Sequence, residues 1–389
     1  MSRAALKNIA RPRALYAPRA LRPAVLSLVS HKATPSGTRP LSMSSKRSLA
    51  TSSIKLATTS PVVEKKLDSF IPLIDFSKFL HGSETEKKQI AAEILSGFQN
   101  AGFIYLQNHG IAPSAVRNAF ATSASFFAEP DEDKLNLSWL SPESNRGYSA
   151  RGREKLKRVG EGQGSEDAAP PDMKESFEIG REGDAAFPNQ WPRDGTMVEG
   201  FKDTMLGFYG LCRQLHGNVM SAIAVGMGLD AKYFERFISS GDNTLRLLHY
   251  PGVDASVWKN ANAVRAGAHS DYGSLTLLFQ DGRGGLQVQS PSGDFVDATP
   301  VEGAIVVNAG DLLARWSNDT IKSTIHRVVE PPVKEADSYP PRYSIAYFCN
   351  PNHSSFIEAL PGTFATEDSK KYKGIQTGEY LVQRLTATY

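Results

Sequence analysis

The sequence predicts a mixed α and β protein in which a helical first half precedes a run of short strands, a pattern that favours an antiparallel sandwich. Apolar residues recur at helical spacing between residues 83 and 227, and β-branched or alternating segments dominate from residue 243 onward. Strands that follow helices in this way are typical of the α+β class. The residues alone do not indicate which kind of sandwich forms.

Helices are predicted where apolar positions repeat and where boundary residues occur. Ile90, Ile94 and Phe98 share one helical face that stops at Gly102, and Pro113 opens a second helix. A last helix is expected to begin at a capping threonine, Thr377. The predicted helices cover residues 83–101, 113–129, 197–227 and 377–385, and the predicted strands cover residues 103–106, 243–250, 274–281, 286–289, 294–297, 304–308, 324–330 and 342–350.

Two histidines and one aspartate form a candidate metal site. His269 and Asp271 are two residues apart, so they share a face if residues 268–281 are extended, and the predicted strand 324–330 carries His326 near its start. Three protein ligands that leave open positions are the pattern of non-haem Fe(II) oxygenases. The alternative is that both histidines are ordinary core or surface residues.

A zinc site, or a metal site with further aspartate ligands, fits the sequence less well. A closed zinc site would need further ligands, and the chain has only two cysteines, Cys212 and Cys349. We interpret Asp281, Asp297 and Asp311 as turn and loop carboxylates, because the three-ligand set is complete without them.

A candidate anion site follows the second histidine. Arg342 and Ser344 share a face of the predicted strand 342–350. A guanidinium holds a carboxylate through two parallel hydrogen bonds, and a nearby hydroxyl adds a third. The order of these features along the chain is more specific than any of them alone.

At this point the chain resembles the 2-oxoglutarate and Fe(II)-dependent dioxygenase superfamily, in the branch that includes isopenicillin N synthase and many fungal members. The resemblance covers residues 70–389 and rests on seven segments in family order. These are Ile71-Pro-Leu-Ile-Asp75, Gly102-Phe-Ile-Tyr-Leu-Gln-Asn-His-Gly110, Leu247-Leu-His-Tyr-Pro251, Gly267-Ala-His-Ser-Asp271, Gly284-Gly-Leu-Gln-Val288, Val307-Asn-Ala-Gly-Asp311 and Lys322-Ser-Thr-Ile-His-Arg327.

The resemblance implies a fold and a cosubstrate. It implies a double-stranded β-helix, a jelly-roll variant, with helices of the first half packed around it. It also implies that 2-oxoglutarate chelates the iron while its far carboxylate meets Arg342, Ser344 and Tyr250. Dioxygen, a small-molecule substrate and ascorbate as an additional reductant complete the expected reaction, which yields succinate and carbon dioxide.

Substrate contacts are predicted from segments that flank the cavity mouth in the family. Arg146 and Tyr148 are the candidates, with packing or solvent exposure as the alternative. Relatives often carry Asn at the position of Leu248, so a polar contact to the cosubstrate is missing here. Arg246 alternates onto the same face and is a candidate to replace it.

The first 63 residues have a composition unlike the rest of the chain. They contain eleven Lys or Arg and no Asp or Glu, which is typical of a mitochondrial transit peptide. A disordered basic tail is the alternative, and initiation at Met43 would give a shorter, cytoplasmic product. Residues 64–240 are expected to form the helical region, residues 241–352 the catalytic core and residues 353–389 a closing segment. The loop 151–172 is charged, glycine-rich and predicted to be exposed.

Charge and hydropathy limit the possible partners. Without the basic leader, 33 basic residues face 41 acidic ones, a formal net charge of −8, which argues against nucleic acid as the main partner. No segment approaches the ~20 apolar residues that span a bilayer. Two cysteines in 389 residues do not indicate a disulfide framework.

Three functions compete on this sequence. The first is a 2-oxoglutarate-dependent oxygenase that hydroxylates, desaturates or cyclises a small molecule. The second is an iron oxidase of the same fold that needs no 2-oxoglutarate, which succinate yield per product distinguishes. The third is a catalytically silent binding module, which the complete ligand set disfavours. Substrate identity does not follow from the fold.

Overall fold

A computed structural model describes residues 70–141, 144–152, 173–193, 195, 197–254, 256, 265–332, 335 and 337–388. All of them fall in one compact unit, Ile54–Tyr389. The predicted leader, with Met43, and residues 153–172 of the predicted loop lie outside the described residues. No helix in the described part of the chain combines the length and apolar character needed to cross a bilayer.

Helices form where the sequence predicts them. The longer ones, α2 (Glu84–Asn100), α3 (Pro113–Phe127), α5 (Phe201–Gly226) and α8 (Thr377–Thr388), match the four predicted helices. Ser83 and Glu86 cap α2 reciprocally. Thr377 is the first residue of α8, and its buried hydroxyl has no hydrogen-bond partner among the described residues, so the predicted cap is wrong. The helices are α1 Ser77–His81, α2 Glu84–Asn100, α3 Pro113–Phe127, α4 Asp131–Leu135, α5 Phe201–Gly226, α6 Glu235–Ile238, α7 Asp311–Trp316 and α8 Thr377–Thr388.

The described strands form two main sheets. The strands are β1 Leu73–Asp75, β2 Phe103–Gln107, β3 Gly147–Ser149, β4 Glu175–Ile179, β5 Thr244–Tyr250, β6 Val253–Asp254, β7 Ala266–His269, β8 Leu275–Gln280, β9 Leu286–Gln289, β10 Phe295–Asp297, β11 Ala304–Ala309, β12 His326–Val328, β13 Ser338–Tyr339, β14 Arg342–Cys349, β15 Phe356–Ile357 and β16 Ile375–Gln376. Eight strands pair in the order β1-β2-β11-β8-β14-β5-β4-β3, and four pair in the order β10-β9-β12-β7.

Alternation along the strands divides the core into two layers. On β2, Phe103 and Tyr105 pack with Leu286 and Val288 of the small sheet, whereas Ile104 belongs to a larger cluster with the helices. Burying each of these side chains contributes about 1.5–3 kcal/mol. The large sheet therefore has one face on the helices and the other on the small sheet.

Strand register brings the candidate site residues together. On the large sheet, β14 lies between β5 and β8, and Arg342 is paired with Tyr250. On the small sheet, His326 is paired with His269. Residues far apart in sequence thus become direct neighbours.

Candidate metal and cosubstrate site

The three predicted metal ligands converge. The imidazole rings of His269 and His326 have centroids 4.4 Å apart. Oδ1 of Asp271 lies 3.9 Å from Nε2 of His269 and 3.8 Å from Nε2 of His326. The three ligand atoms lie within 4.8 Å of one another.

Asp271 reaches this position by a different route from the one predicted. Strand β7 ends at His269, and Asp271 lies in the connection to β8 rather than on a continuous strand. The predicted continuous extension of residues 268–281 is therefore wrong, because it is interrupted at residues 270–274. The strand turns away after His269 because the backbone carbonyl of Asp271 accepts a hydrogen bond from the amide of Asp311 at the start of α7, 2.8 Å away.

Hydrogen bonds leave one ligand atom of each residue available to a metal. Nδ1 of His269 lies 2.8 Å from the Gly267 carbonyl, and Nδ1 of His326 lies 3.2 Å from the Thr324 carbonyl. A proton on each Nδ1 leaves each Nε2 with its lone pair. Oδ2 of Asp271 accepts from the side chains of Asn308 and Thr276, so Oδ1 remains for the metal.

The protonation states suit a divalent cation. Burial and the neighbouring His269 lower the pKa of His326 to about 4, so its imidazole is neutral at physiological pH. Burial alone would raise the pKa of Asp271, but the two imidazoles and the hydrogen bonds hold it below its usual value. Two imidazoles and one carboxylate are a ligand set that fits Fe(II), which would, when bound, activate dioxygen for oxidation of the substrate.

The predicted cosubstrate clamp is also assembled. Arg342 is 1% exposed, and its Nε donates to the Gly284 carbonyl at 3.0 Å. Its two Nη atoms lie 3.2 Å from Ser344 Oγ and 3.3 Å from Gln280 Oε1. These contacts fix the plane of the guanidinium, and Tyr250 lies beneath it, with 5.0 Å between Arg342 Cζ and the ring centroid.

Arg246 does not replace the missing polar contact near Leu248. It is paired with Ala346, whereas Arg342 is paired with Tyr250, so Arg246 lies four residues farther along the sheet, about 13 Å at the rise of a strand. Its Nε lies 2.7 Å from Glu178 Oε1. Arg246 therefore belongs to the other end of the cavity.

One cavity of about 380 Å³ joins the metal ligands, the clamp and a third group of side chains. It runs between the two sheets, from Arg342 past the ligands to a partly apolar end. At that end the lining includes Asn145, Arg146, Lys174, Phe187, Arg246, Phe348, Asn350, His353, Leu381, Val382 and Leu385. We call this part the outer end of the cavity.

Only one of the two predicted substrate contacts lies in the cavity wall. Arg146 lines the outer end, where its guanidinium passes directly over Gly180, so closely that a Cβ at Gly180 would collide with it. Tyr148 is buried away from the cavity, and its hydroxyl donates to Glu175. The prediction for Tyr148 is therefore wrong, because strand alternation turns it toward the helices.

Sequence reasoning missed the C-terminal wall. Leu381, Val382 and Leu385 of α8 line the outer end, and their helical spacing was the available signal. Asp311, interpreted as a simple loop carboxylate, holds this helix, since Arg384 lies 3.0 Å from its Oδ2. The carboxylate of Asp311 also accepts hydrogen bonds from two serines beside the metal ligands, Ser270 at 3.2 Å and Ser323 at 2.7 Å.

A jelly-roll cavity that combines two histidines and an aspartate with a buried Arg-x-Ser clamp defines a non-haem iron oxygenase that uses 2-oxoglutarate. The sequence agrees with this class. Residues 71–194 match the family described as the non-haem dioxygenase in morphine synthesis N-terminal, and residues 241–351 match the 2OG-Fe(II) oxygenase superfamily. The chain belongs to this superfamily, and the predicted family, fold class, cofactor and cosubstrate are confirmed.

Individual relatives extend the match over most of the chain. The 2-oxoglutarate-Fe(II) type oxidoreductase ppzD of Metarhizium rileyi is 35% identical, over 81% of this chain and 90% of that protein. The proline hydroxylase buaE of Petromyces alliaceus is 34% identical, over 81% of this chain and 98% of that protein.

Crystal structures of a full-length Neurospora crassa protein are more similar, and we call it the Neurospora relative. The protein in its complex with alpha-KG and thymine is 62% identical to this chain, with a TM-score of 0.77. The match covers 82% of this chain and 97% of the Neurospora chain. Its complex with alpha-KG and 5-formyluracil is 60% identical with a TM-score of 0.75, covering 82% and 96%.

Proposed function

We propose that this chain oxidises the 5-methyl group of a thymine-like pyrimidine base, with 2-oxoglutarate as cosubstrate. The observation that carries the proposal is the identity of 60–62% with the Neurospora relative, which binds thymine and 5-formyluracil. These two bases differ only in the group at carbon 5, a methyl in one and a formyl in the other. A site that accepts both suits successive oxidation of one carbon.

The outer end of the cavity offers the hydrogen-bonding groups that a pyrimidine base needs. The base is planar and uncharged, with two carbonyl acceptors and two ring N–H donors. Nε of Arg246 faces Glu178, whose carboxylate balances its charge, and the same guanidinium also carries Nη donors. Asn145 lines the cavity, and its buried Oδ1 has no partner among the described residues, so it is a candidate acceptor for a ring N–H.

Apolar side chains supply the remaining contacts. Phe348 lines the cavity with Arg246 above its ring, 5.3 Å from Cζ to the centroid. An aromatic face is a suitable partner for a planar base, and stacking of a base on an aromatic ring contributes roughly 1–3 kcal/mol. Leu381 and Leu385 close the cavity against water, which strengthens the polar contacts inside it.

The proposed reaction consumes one dioxygen and one 2-oxoglutarate in each step. One oxygen atom enters the methyl group to give a hydroxymethyl group, the other enters succinate, and carbon dioxide is released. A second, equal step gives the formyl group with loss of water. The residues of the chain contribute by orienting the 5-methyl group toward the metal ligands and by excluding water.

The test is a set of turnover assays with the full-length protein, Fe(II) and 2-oxoglutarate. Thymine should yield 5-hydroxymethyluracil and then 5-formyluracil by mass spectrometry, with one succinate for each step. Uracil, which lacks the methyl group, should give no oxidised base. Assays with and without ascorbate test whether it acts only as an additional reductant.

Proline and thymidine complete the substrate panel. Succinate release with L-proline and none with thymine would overturn the proposal, and would align the chain with relatives such as buaE. Turnover of thymidine equal to that of thymine would show that the site also accepts a sugar at N1, and would widen the proposed substrate class to the nucleoside.

We also propose that the basic leader directs the chain to mitochondria. The support is its composition of eleven basic residues with no acidic one before residue 64. Expression of the full chain and of a version starting at Met43, each with a C-terminal fluorescent tag, tests it. Cytoplasmic fluorescence from both versions would contradict the proposal.

A further inference from the structure

Arg265 is a buried cation that the mechanism does not use. It precedes β7, and its backbone amide donates to the Val328 carbonyl at 2.9 Å. The side chain is 1% exposed, and neither of its Nη atoms has a hydrogen-bond partner among the described residues. A buried guanidinium whose two Nη atoms have no acceptor among the described residues is costly, so a structural role alone gives a poor account of it.

Arg265 and Arg342 approach the same aromatic ring. Cζ of Arg265 lies 5.6 Å from the ring centroid of Tyr250, and Cζ of Arg342 lies 5.0 Å from it. Burial and the neighbouring charge of Arg342 lower the pKa of Arg265 to about 10, so Arg265 remains a cation at neutral pH. Two like charges thus lie near the end of the cavity that receives the cosubstrate, with Arg342 in the cavity wall and Arg265 behind it.

No carboxylate of the described residues forms an ion pair with either arginine. Arg342 donates only to uncharged acceptors, those of Gly284, Ser344 and Gln280. Asp281 acts on Arg265 from a distance, and its two carboxylate oxygens accept from the backbone amides of Arg283 and Tyr343. Within the described part of the chain the pair therefore lacks a counter-anion, which a carboxylate bound in the clamp would provide.

We infer that Arg265 is a positioning residue for the cosubstrate, which supplies a second positive charge behind Tyr250 and makes the clamp select 2-oxo acids that carry a distal carboxylate. Arg265 does not line the cavity, so it acts on the ligand through the electric field and through the ring of Tyr250. Attraction between unlike charges is stronger in a buried site than in water, because the effective dielectric constant is lower.

The experiment compares two 2-oxo acids in wild type and in Arg265→Met. The acids are 2-oxoglutarate and 2-oxopentanoate, which has the same chain length without the distal carboxylate. Calorimetric titration of each into the Fe(II)-loaded protein without oxygen gives Kd, and turnover assays give KM and kcat. Methionine keeps much of the packing volume and removes the charge.

Arg265→Met should raise Kd for 2-oxoglutarate about tenfold, the order expected for one charge acting over roughly 10 Å at an effective dielectric constant of ~20. Kd for 2-oxopentanoate should change by less than about twofold, and kcat at saturating 2-oxoglutarate should also stay within about twofold. Arg265→Lys, which keeps the charge, should restore most of the preference for the dicarboxylate.

A control variant removes an exposed arginine that stacks on a ring elsewhere in the protein. Arg236 lies over Phe237, 4.5 Å from Cζ to the centroid, and Arg236→Met should leave both Kd values unchanged. Equal weakening of both acids in Arg265→Met, or an unchanged Kd for 2-oxoglutarate, would overturn the inference. If Arg265→Met fails to fold, the Arg265→Lys variant tests the inference instead. Loss of the preference for the dicarboxylate in that variant, which keeps the charge, would also overturn the inference.

Discussion

The two ends of the cavity are built in different ways. At the metal and clamp end, every functional residue lies on or beside one of the four strands β5, β7, β12 and β14, and short motifs mark them. At the outer end, strands β5 and β14 contribute Arg246 and Phe348, and the rest of the lining comes from residues 145–146, 174, 187 and 350–353 and from α8. The first end is a property of strand register, whereas the second depends on how distant segments pack.

Chemistry that is common to the family can be held by rigid strands, and contacts that vary between substrates can be carried by loops and a terminal helix. The comparison predicts that changes at the metal and clamp end abolish or weaken turnover of any substrate. Changes at the outer end should alter the recognition of one substrate and leave cosubstrate binding intact.

Loss of a metal ligand should have the largest effect. His326→Ala should reduce turnover to below about one hundredth of wild type, since loss of an outer hydrogen-bond partner alone costs 10–100-fold. The melting temperature of the metal-free protein should change little. Succinate release and thermal unfolding measure the two effects, with the exposed His81→Ala as control.

Loss of the clamp should come second. Arg342→Ala should weaken 2-oxoglutarate binding by about 1.5–3 kcal/mol, the contribution of hydrogen bonds to a charged group. Calorimetry without oxygen measures it, and Fe(II) affinity should stay unchanged. Unaltered affinity for 2-oxoglutarate would remove Arg342 from the clamp.

Removal of Arg246 at the outer end should weaken substrate recognition and leave cosubstrate binding unchanged. Arg246→Met should raise KM for thymine about tenfold and leave Kd for 2-oxoglutarate unchanged. Because the single change leaves buried Glu178 without the cation that balances it, stability should also fall. The double variant Arg246→Met with Glu178→Gln should recover stability without recovering KM, and recovery of both would assign Arg246 a structural role only.

The fastening of α8 should have a smaller effect. Arg384 and Asp311 are partly exposed, so their ion pair contributes about 1 kcal/mol or less. Arg384→Met should therefore raise KM for thymine two- to fivefold, with kcat nearly constant. Arg315→Met is a matched control, since both arginines stack on a tyrosine. Cζ of Arg384 lies 4.5 Å from the ring centroid of Tyr272, and Cζ of Arg315 lies 4.8 Å from that of Tyr372.

Loss of the buried carboxylate of Glu175, which follows Lys174 of the outer end, should have the smallest effect on activity. Burial alone would raise the pKa of Glu175, but hydrogen bonds from His249, Tyr148 and Lys134 lower it to about 2. Its stabilisation is present above pH ~4.5 and is lost as the pH falls toward 2. The stability difference between wild type and Glu175→Gln should shrink across that range in denaturant titrations, and a constant difference would contradict it.

The sequence by itself determined the class of fold, the metal ligands and the clamp. Period-two and period-3.6 patterns mark strands and helices, and His269, Asp271, His326 and Arg342 carry chemistry that few other arrangements require. The packing of distant segments was decided only in the tertiary structure. It placed Tyr148 away from the cavity and Arg246 at its outer end.

Packing between distant segments also explains why the sequence did not predict the turn at Asp271, the contact of α8 with the cavity or the burial of Arg265. Asp271 meets the histidines from a turn that Asp311 helps to hold, and α8 reaches the cavity from the far end of the chain. Arg265 becomes unusual only when burial removes its access to water. Contacts between residues far apart in sequence depend on the assembled sheets and helices, and no local pattern encodes them.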